Sequence, residues 1–312
     1  EMERKVRDRI QEAVQAYGWE HCLLDAVSYG SGHINDMYLL TLGFSGDSGA
    51  GQRKDGRKVI LQKMNQKVFR KPEDFYQSGV IFGKFQGMLA DYPAETLHET
   101  IKGFHDTRAR FENFRKAVRE DVCGRAALVE EEISFIMARE EMTDKLWNLE
   151  KTGKIPLRVT HNDTKLNNVM IDDRTGQGLC VMDLDTVMPG LSVHDFGDSV
   201  RFGVSTAAED EPDLSRVSCD LELFDIYTKG FLEGCQGRLT PQEVELFPMG
   251  AKVMTFECGM RFLTDYLEGD HYFKIHRPDH NLDRCRTQLK LVQDMEKKWE
   301  IMEQIVRKRS VG

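Results

Sequence analysis

The chain lacks the marks of several common protein classes. No apolar run approaches the length that spans a membrane, and 43 Lys and Arg stand against 52 Asp and Glu, so no basic surface for nucleic acid is expected. Its seven cysteines are scattered without a C-x-x-C pair, which indicates reduced thiols rather than disulfides or a zinc site. The opening EMERKVRDRIQEAVQ is too charged for a signal peptide. These absences predict a cytoplasmic protein without a membrane or nucleic-acid partner.

Strand patterns come before helical patterns along the 312 residues. Two β-type runs in LLDAVSYGSGHINDMYLLTL and a third, KVILQKMN, come early, and amphipathic helical patterns follow. Strands gathered before helices are typical of an α+β protein. We therefore expect a small sheet lobe at 1–75 and a large helical lobe at 76–312, in a monomer or weak oligomer.

The most informative stretch is VTHNDTKLNNVMIDDRTGQGLCVMDLDTVMP, residues 159–189. It predicts a strand, a polar loop with the pattern H-x-D-x-x-x-x-N, a hairpin, and a strand that ends in acidic residues. Phosphoryl transfer requires a carboxylate to accept the proton of the attacking hydroxyl, and an amide and a second carboxylate to hold Mg²⁺. Asp163 is the candidate base, and the candidate metal ligands are Asn168, Asp183 and Asp185. The alternative is a polar hairpin whose Asp and Asn residues only form turns.

Three stretches carry a resemblance to a known family. HNDTKLNNVMID, VMDLDTVMPGLSVHDFGDSVRFG and FGKFQGMLADYPAETLHETIKGFHDT resemble N-acetylhexosamine 1-kinases, within the aminoglycoside and choline kinase-like phosphotransferase superfamily. The resemblance implies a protein-kinase-like, two-lobe α+β fold. It also implies phosphorylation of the C1 hydroxyl of N-acetylglucosamine or N-acetylgalactosamine (GlcNAc/GalNAc), with ATP and Mg²⁺ as cofactors.

The resemblance also assigns roles to residues outside the loop. Gly30 and Gly32 would lie over the ATP phosphates, although the same two glycines would also fit an ordinary hairpin turn. Lys63 would hold the phosphates, unless Gln62 on the opposite face does so. The implied sugar contacts are His33, Asn35, Arg261 and Tyr272, and the implied structural supports of the loop are His161 and Asp195.

Four further charged positions leave alternatives open. Lys165 either neutralises the γ-phosphate or is a surface lysine. Asp198 and Arg201 are expected to form a local ion pair, with an arginine facing phosphate as the alternative. Without the resemblance, an internal salt bridge for Arg261 and a packed Tyr272 are equally compatible with the sequence.

The chain departs from the kinase pattern in its sheet lobe. After the third strand, a helix with a Glu partner, two strands and a hinge require about 30–45 residues. Only QKVFRKPEDF separates that strand from the next helical pattern. The sheet lobe is therefore expected to be shortened, which puts adenine recognition and catalytic competence in question.

Helical patterns account for most of the remaining chain. Single helices are predicted over 127–153, 240–270 and 283–309, with Thr240 as an N-cap and Gly153 as a C-cap. Glycines spaced by four at 79, 83 and 87 predict close helix packing. His98 and His105 are expected to be surface or capping residues.

Three functions fit the sequence. The first is an ATP-dependent N-acetylhexosamine 1-kinase. The second keeps the chemistry but uses another small alcohol as acceptor, such as an aminoglycoside or choline. The third, prompted by the shortened lobe, is a non-catalytic sugar or nucleotide binder.

Overall fold

The computed structural model describes residues 10–11, 14–15, 22–28, 36–42, 57–63, 72–172 and 174–310. Contacts between residues divide the chain into two units, Glu1–Val68 and Phe69–Gly312. The predicted lobe boundary at residue 75 stays a prediction. In the described part of the chain, no helix combines the length and apolarity needed to cross a bilayer.

The first unit contains an antiparallel sheet. Its strands are β1 (Leu23–Ser28), β2 (Asp36–Leu42) and β3 (Arg57–Lys63), and β2 lies between the other two. Leu40 and Leu42 are buried because alternate residues of a strand face the same side. They form a small core with Ile10 and Val14, which are spaced by one helical turn. The early strands predicted from sequence are confirmed.

The second unit is mainly helical. Its short strands form two antiparallel pairs, β4 (Arg158–Thr160) with β7 (Met188–Gly190), and β5 (Val169–Ile171) with β6 (Gly178–Val181). The helices are α1 (Pro72–Met88), α2 (Thr107–Glu120), α3 (Glu130–Met137), α4 (Lys145–Lys151), α5 (Ser192–Gly203), α6 (Leu221–Cys235), α7 (Pro241–Glu245), α8 (Phe247–Glu268), α9 (His280–Lys297) and α10 (Trp299–Ser310).

Helix α5 is the centre of this unit. Its first ten residues, 192–201, are all buried. Phe196 stacks on Phe247 of α8 with ring centroids 4.0 Å apart and packs edge-on against Phe224 and Phe231 of α6. Large aromatic side chains dominate the energy of such a core. Any acidic residue on α5 is thereby held in a fixed position inside the protein.

Helices α1 and α6 pack unusually close through glycines. A Cβ atom on Gly83 would lie 2.2 Å from the carbonyl oxygen of Phe231, and one on Gly234 would lie 2.2 Å from that of Val80. The close approach predicted from the glycine spacing is confirmed. It holds α1, and with it Gln86, against the inner part of the unit.

Replacing Gly83 by alanine is expected to lower the free energy of unfolding by about 1–3 kcal/mol, because the new methyl group overlaps backbone that cannot move aside alone. Gly87→Ala is the matched control on the same helix. Its Cβ would meet nothing closer than 3.2 Å, and alanine favours the helix, so a change within about 1 kcal/mol is expected. Urea denaturation measures both, and equal midpoints for the two variants would contradict this packing.

The three long helices predicted from sequence are each interrupted. The 127–153 pattern splits into α3 and α4, separated by a 3₁₀ turn at Glu140–Asp144. The 240–270 pattern breaks at Leu246, because Pro248 lacks a backbone N–H and opens α8. The 283–309 pattern breaks at Lys298, whose ammonium group reaches across to the carbonyl of Cys219 at 2.8 Å. The predicted N-cap is confirmed, since Thr240 forms a capping box, whereas the C-cap of α4 is Thr152 and Gly153 follows it with φ +68°.

Candidate active site

The polar loop at 161–168 joins β4 to β5. Its two ends are tied to Met182, the residue after β6. The Met182 N–H donates to the carbonyl of Asn168 at 2.8 Å, and His161 Nε2 lies 2.8 Å from the Met182 carbonyl. Because a carbonyl only accepts, His161 must carry its proton on Nε2. Asp183 follows Met182 directly, so this pair of bonds brings Asp183 to the end of the hairpin where the loop closes.

Asp195 lies beneath the loop and binds its backbone. The carboxylate accepts the N–H groups of His161 at 2.9 Å and Asn162 at 2.8 Å. It also accepts Gln86 Nε2 of α1 at 2.6 Å. Burial raises the pKa of Asp195, while the N–H groups of His161 and Asn162 work in the opposite direction. The supporting role of Asp195 stays a prediction, and its contacts include Gln86, which the sequence pattern did not indicate.

Asp198, one helical turn further along α5, binds the next part of the loop. Its carboxylate accepts the Thr164 N–H at 3.0 Å. The other oxygen lies 3.1 Å from both Nε and Nη2 of Arg201, so the predicted ion pair is confirmed. Burial acts to raise the pKa of Asp198, but the charges of Arg201 and Lys165 outweigh it and lower the pKa. Two carboxylates of one buried helix therefore fix the loop backbone on both sides of Asp163.

Asn162 is a structural residue that the sequence analysis missed. Its backbone has φ +64°, a left-handed conformation that asparagine adopts more readily than most residues. Its side-chain amide donates to the Thr186 carbonyl at 2.9 Å and accepts from Thr160 Oγ1 at 3.0 Å. An asparagine between the histidine and the aspartate of the pattern was the available signal. The bend turns the chain immediately before Asp163.

The structure brings Asp163 and Asn168 together. Asn168 Nδ2 donates to one carboxylate oxygen of Asp163 at 3.0 Å and to its backbone carbonyl at 2.8 Å. Lys165 Nζ lies 2.7 Å from the other carboxylate oxygen. Burial acts to lower the pKa of Lys165, but the charges of Asp198 and Asp163 outweigh it and raise the pKa. Asp163 remains partly exposed, so an incoming hydroxyl can reach an oriented carboxylate.

Asp183 and Asp185 are exposed at the end of the hairpin. Asp183 has φ +58°, and neither carboxylate has a hydrogen bond or ion pair within the described ranges. The described residues contain no group of three or more His, Cys, Asp or Glu placed to hold a metal ion. Mg²⁺ often takes only one or two protein carboxylates and fills its other positions with phosphate and water. One amide and one or two accessible carboxylates therefore fit such a partly occupied coordination shell.

Arg261 and Tyr272 also meet in the structure. Arg261 Nη2 lies 3.4 Å from the Tyr272 hydroxyl, and the guanidinium faces the rings of Tyr272 and Phe273 at 5.7 and 5.5 Å. Within the described part of the chain Arg261 has no salt bridge, and Tyr272 is 70% exposed. Neither the internal salt bridge nor the packed tyrosine considered from sequence is observed there.

The prediction for His105 is wrong. Its side chain is 8% exposed and contacts Glu257, which is 152 residues away in the chain. His98 is exposed, as expected. Local sequence did not reveal the burial of His105, because its partner lies on the distant helix α8.

Several predicted nucleotide and sugar contacts cannot be placed. Gly30, Gly32, His33 and Asn35 lie outside the described residues, as does the connection 64–71 between β3 and α1. Only the backbone of Lys63, the last residue of β3, is described. The roles of these four residues and of Lys63 stay predictions.

Comparison with known proteins now defines the class. Residues 45–219, more than half of the chain, match the phosphotransferase enzyme family (APH), and the chain belongs to that family. The ethanolamine kinase of Plasmodium vivax has a similar structure, with a TM-score of 0.50 at 11% identity over 86% of this chain and 82% of that one. The family match and this likeness confirm the predicted kinase-like fold, with a small sheet lobe and a large helical lobe.

Two further solved structures are similar, with TM-scores below 0.5. Choline kinase from Cryptosporidium parvum Iowa II gives a TM-score of 0.49 at 12% identity, over 90% of this chain and 91% of that one. Spectinomycin phosphotransferase, solved with ADP and spectinomycin, gives 0.45 at 11% identity, over 93% and 98%. Neither adds to the fold assignment at these scores.

Proposed function

We propose that the protein is a kinase that transfers the γ-phosphoryl group of ATP to the C1 hydroxyl of an N-acetylhexosamine, GlcNAc or GalNAc. The observation that carries the proposal is Asp163, an accessible carboxylate oriented by Asn168 and Lys165 on a loop that Asp195 and Asp198 hold from below. Family membership supports phosphoryl transfer, and the resemblance in the three stretches quoted above supports the sugar.

Asp163 would serve as the general base. The C1 hydroxyl gives its proton to the Asp163 carboxylate while its oxygen attacks the γ-phosphorus, and the bond from that phosphorus to the β–γ bridging oxygen breaks, releasing ADP. An anomeric hydroxyl is more acidic than an ordinary alcohol, so a carboxylate suffices as base. Lys165, already 2.7 Å from Asp163, would then face the transferred phosphoryl group.

The metal position would lie across the base of the loop. Asn168 and Asp183 would hold Mg²⁺, with Asp185 as an additional ligand, and the bound ion would neutralise charge on the phosphates. In Asn168 the Nδ2 is already used by Asp163, which directs the amide oxygen away from that carboxylate. Asn168 can therefore orient the Asp163 carboxylate with its amide nitrogen and offer its amide oxygen to the ion.

The surroundings of Arg261 favour a neutral acceptor over a cationic one. Burial lowers the pKa of Arg110, and the positive charge of Arg261 lowers it further. A choline or aminoglycoside cation would be repelled there. Guanidinium and phenol donors suit the hydroxyl and acetamido oxygens of a sugar.

Arg261→Gln is expected to raise the KM for the sugar about 10- to 100-fold while leaving the KM for ATP near wild type, since a charged hydrogen bond is worth about 1.5–3 kcal/mol. Arg284→Gln is the matched control. Arg284 lies on the neighbouring helix α9, and its guanidinium is also 5.5 Å from an aromatic ring, that of Phe262 on α8. Equal sugar KM values for both variants would remove Arg261 from the acceptor site.

An acceptor panel with ADP release as readout tests the proposed function itself. GlcNAc and GalNAc should support turnover, whereas choline and an aminoglycoside should give background rates. Preferred turnover of a cationic alcohol would transfer the proposal to the second function. Calorimetric binding of GlcNAc without binding of MgATP would support the third, a non-catalytic binder.

A further inference from the structure

A buried ion pair lies behind the loop. His105, in the turn before α2, places Nδ1 3.0 Å from one carboxylate oxygen of Glu257 on α8. Thr107 donates its hydroxyl to the other oxygen at 2.6 Å. Glu257 is 1% exposed. A carboxylate is rarely buried to this extent without a structural or functional demand, because its desolvation is costly.

The other nitrogen of His105 binds the loop itself. Nε2 lies 3.2 Å from the backbone carbonyl of Asn162. A carboxylate and a carbonyl are both acceptors, so each ring nitrogen must carry a proton and His105 must be an imidazolium. Loss of either proton would leave one of the two contacts without a donor.

The charges around His105 support that protonation state. Burial lowers the pKa of His105, but the hydrogen bond and charge of Glu257, the charge of Asp198 and the Asn162 carbonyl together raise it. His194 of α5, whose ring centroid lies 5.3 Å away, has its pKa lowered to about 3 by burial and by His105, so it stays neutral. Although burial acts to raise the pKa of Glu257, His105, Thr107 and Arg261 lower it to about 2.

The bound carbonyl belongs to the peptide group that enters Asp163. The N–H of the same peptide faces Nδ1 of His161 at 3.4 Å. This peptide is therefore held at both ends, by His105 on the carbonyl side and by His161 on the amide side. Its orientation follows the left-handed bend at Asn162 and fixes the direction in which the Asp163 side chain leaves the backbone.

Glu257 also connects the loop to the proposed acceptor site. It lies four residues before Arg261 on α8, one helical turn away. The ring of Phe104, the residue before His105, lies 5.8 Å from the Arg261 guanidinium. The ion pair therefore joins the segment that bears the base to the helix that bears Arg261.

We propose that His105 and Glu257 are positioning residues, and that the imidazolium of His105, held by Glu257, sets the Asn162–Asp163 peptide and hence the alignment of Asp163 with the acceptor. The inference rests on the proposed function, because it concerns the base of that reaction. It assigns neither residue any contact with substrate.

The protonation state can be measured without any assay of function. Wild-type protein with ¹⁵N-labelled histidine is titrated by NMR, and His105→Gln identifies the His105 signals. The midpoint should lie above the unperturbed value of 6.5, and both ring nitrogens should report imidazolium below it. Glu257→Gln should move the midpoint down. A wild-type His105 that is neutral at pH 6 would overturn the proposal, even if no variant could be purified.

The kinetic consequence is tested with GlcNAc and MgATP. Glu257→Gln is expected to lower kcat about 10- to 100-fold with the KM for ATP unchanged, because a misaligned base slows only the chemical step. The alkaline limb of kcat should also move to lower pH, since activity that needs the imidazolium is lost as pH rises through the pKa of His105, and that pKa falls without Glu257. If Glu257→Gln had the wild-type kcat, and the alkaline limb of its pH profile lay at the wild-type pH, the inference would be overturned.

Glu243→Gln is the matched control for this experiment. Glu243 is also 1% exposed and pairs with a basic residue, Arg158 at 2.5 Å, but it caps α7. It should lose stability without a shift in the pH profile.

Wild-type turnover and the variant Asp163→Asn together distinguish a failure of the proposed positioning role from a failure of the proposed function. If wild-type protein releases no ADP with GlcNAc, the proposed function fails, and if Asp163→Asn keeps its turnover, Asp163 is not the base. If that variant is inactive while Glu257→Gln behaves as wild type, only the positioning role fails.

Discussion

Asp163→Asn is expected to fold normally and to lose about 10²- to 10⁴-fold in turnover of GlcNAc, the range that a general base contributes. The amide has no basic oxygen to accept the hydroxyl proton. Its carbonyl oxygen can still accept the Asn168 hydrogen bond, so the loop retains its closure. The lost ion pair with Lys165 is partly exposed and should cost little stability.

Asp225→Asn provides the control for this variant. The side chain of Asp225 is 27% exposed and pairs with Arg309 at 2.6 Å, whereas that of Asp163 is 26% exposed and pairs with Lys165 at 2.7 Å. The two substitutions remove the same charge from similar environments, but Asp225 is on α6. Thermal unfolding and ADP release are measured for both. Near-native turnover of Asp163→Asn would exclude it as the base.

The second large effect is expected for Asp195→Ala. Removal of its carboxylate leaves the N–H groups of His161 and Asn162 and the amide of Gln86 without their acceptor. Each buried unpaired donor costs about 1–3 kcal/mol, so a loss of about 3 kcal/mol or more in the free energy of unfolding is expected. Turnover should fall as well, because these bonds fix the backbone on the amino-terminal side of Asp163.

Gln86→Ala separates stability from positioning. It removes one donor and leaves both loop bonds to Asp195 in place. The Oε1 atom of Gln86 is buried without a partner in the described part of the chain, so its loss removes no further bond. This variant should be less destabilised than Asp195→Ala and should keep most of its turnover. Equal losses in both variants would show that the carboxylate does not act through the loop.

Sequence order was sufficient to predict the loop because its contacts are local. His161 and Asn168 both bond to the backbone of Met182, the residue before Asp183, and β-pairing with few intervening residues leaves little choice of arrangement. The strands of the first unit follow from alternating apolar residues in the same way. Residues within one supersecondary element can be placed from their spacing alone.

Two of the misses depend on contacts that are distant in sequence. His105 could not be predicted to be buried without knowing that Glu257 lies beside it, and Gln86 could not be linked to Asp195 across 109 residues. At the interruption at Lys298, the ammonium group bonds to the carbonyl of Cys219, which is 79 residues away in the chain. The break at Leu246 and the bend at Asn162 did have local signals, Pro248 and the asparagine itself. At Leu246 the helical periodicity was wrongly given more weight than the proline.

The central claim is that Asp163, Asn168 and Asp183 act together on a bound triphosphate and sugar. A crystal structure of the protein with ADP, Mg²⁺ and GlcNAc measures it most directly. We expect the ion about 2.0–2.1 Å from an Asn168 oxygen and an Asp183 oxygen, and the C1 hydroxyl about 2.6–3.2 Å from the Asp163 carboxylate. A metal ion bound by neither residue, or a sugar whose C1 hydroxyl lies far from Asp163, would contradict the account.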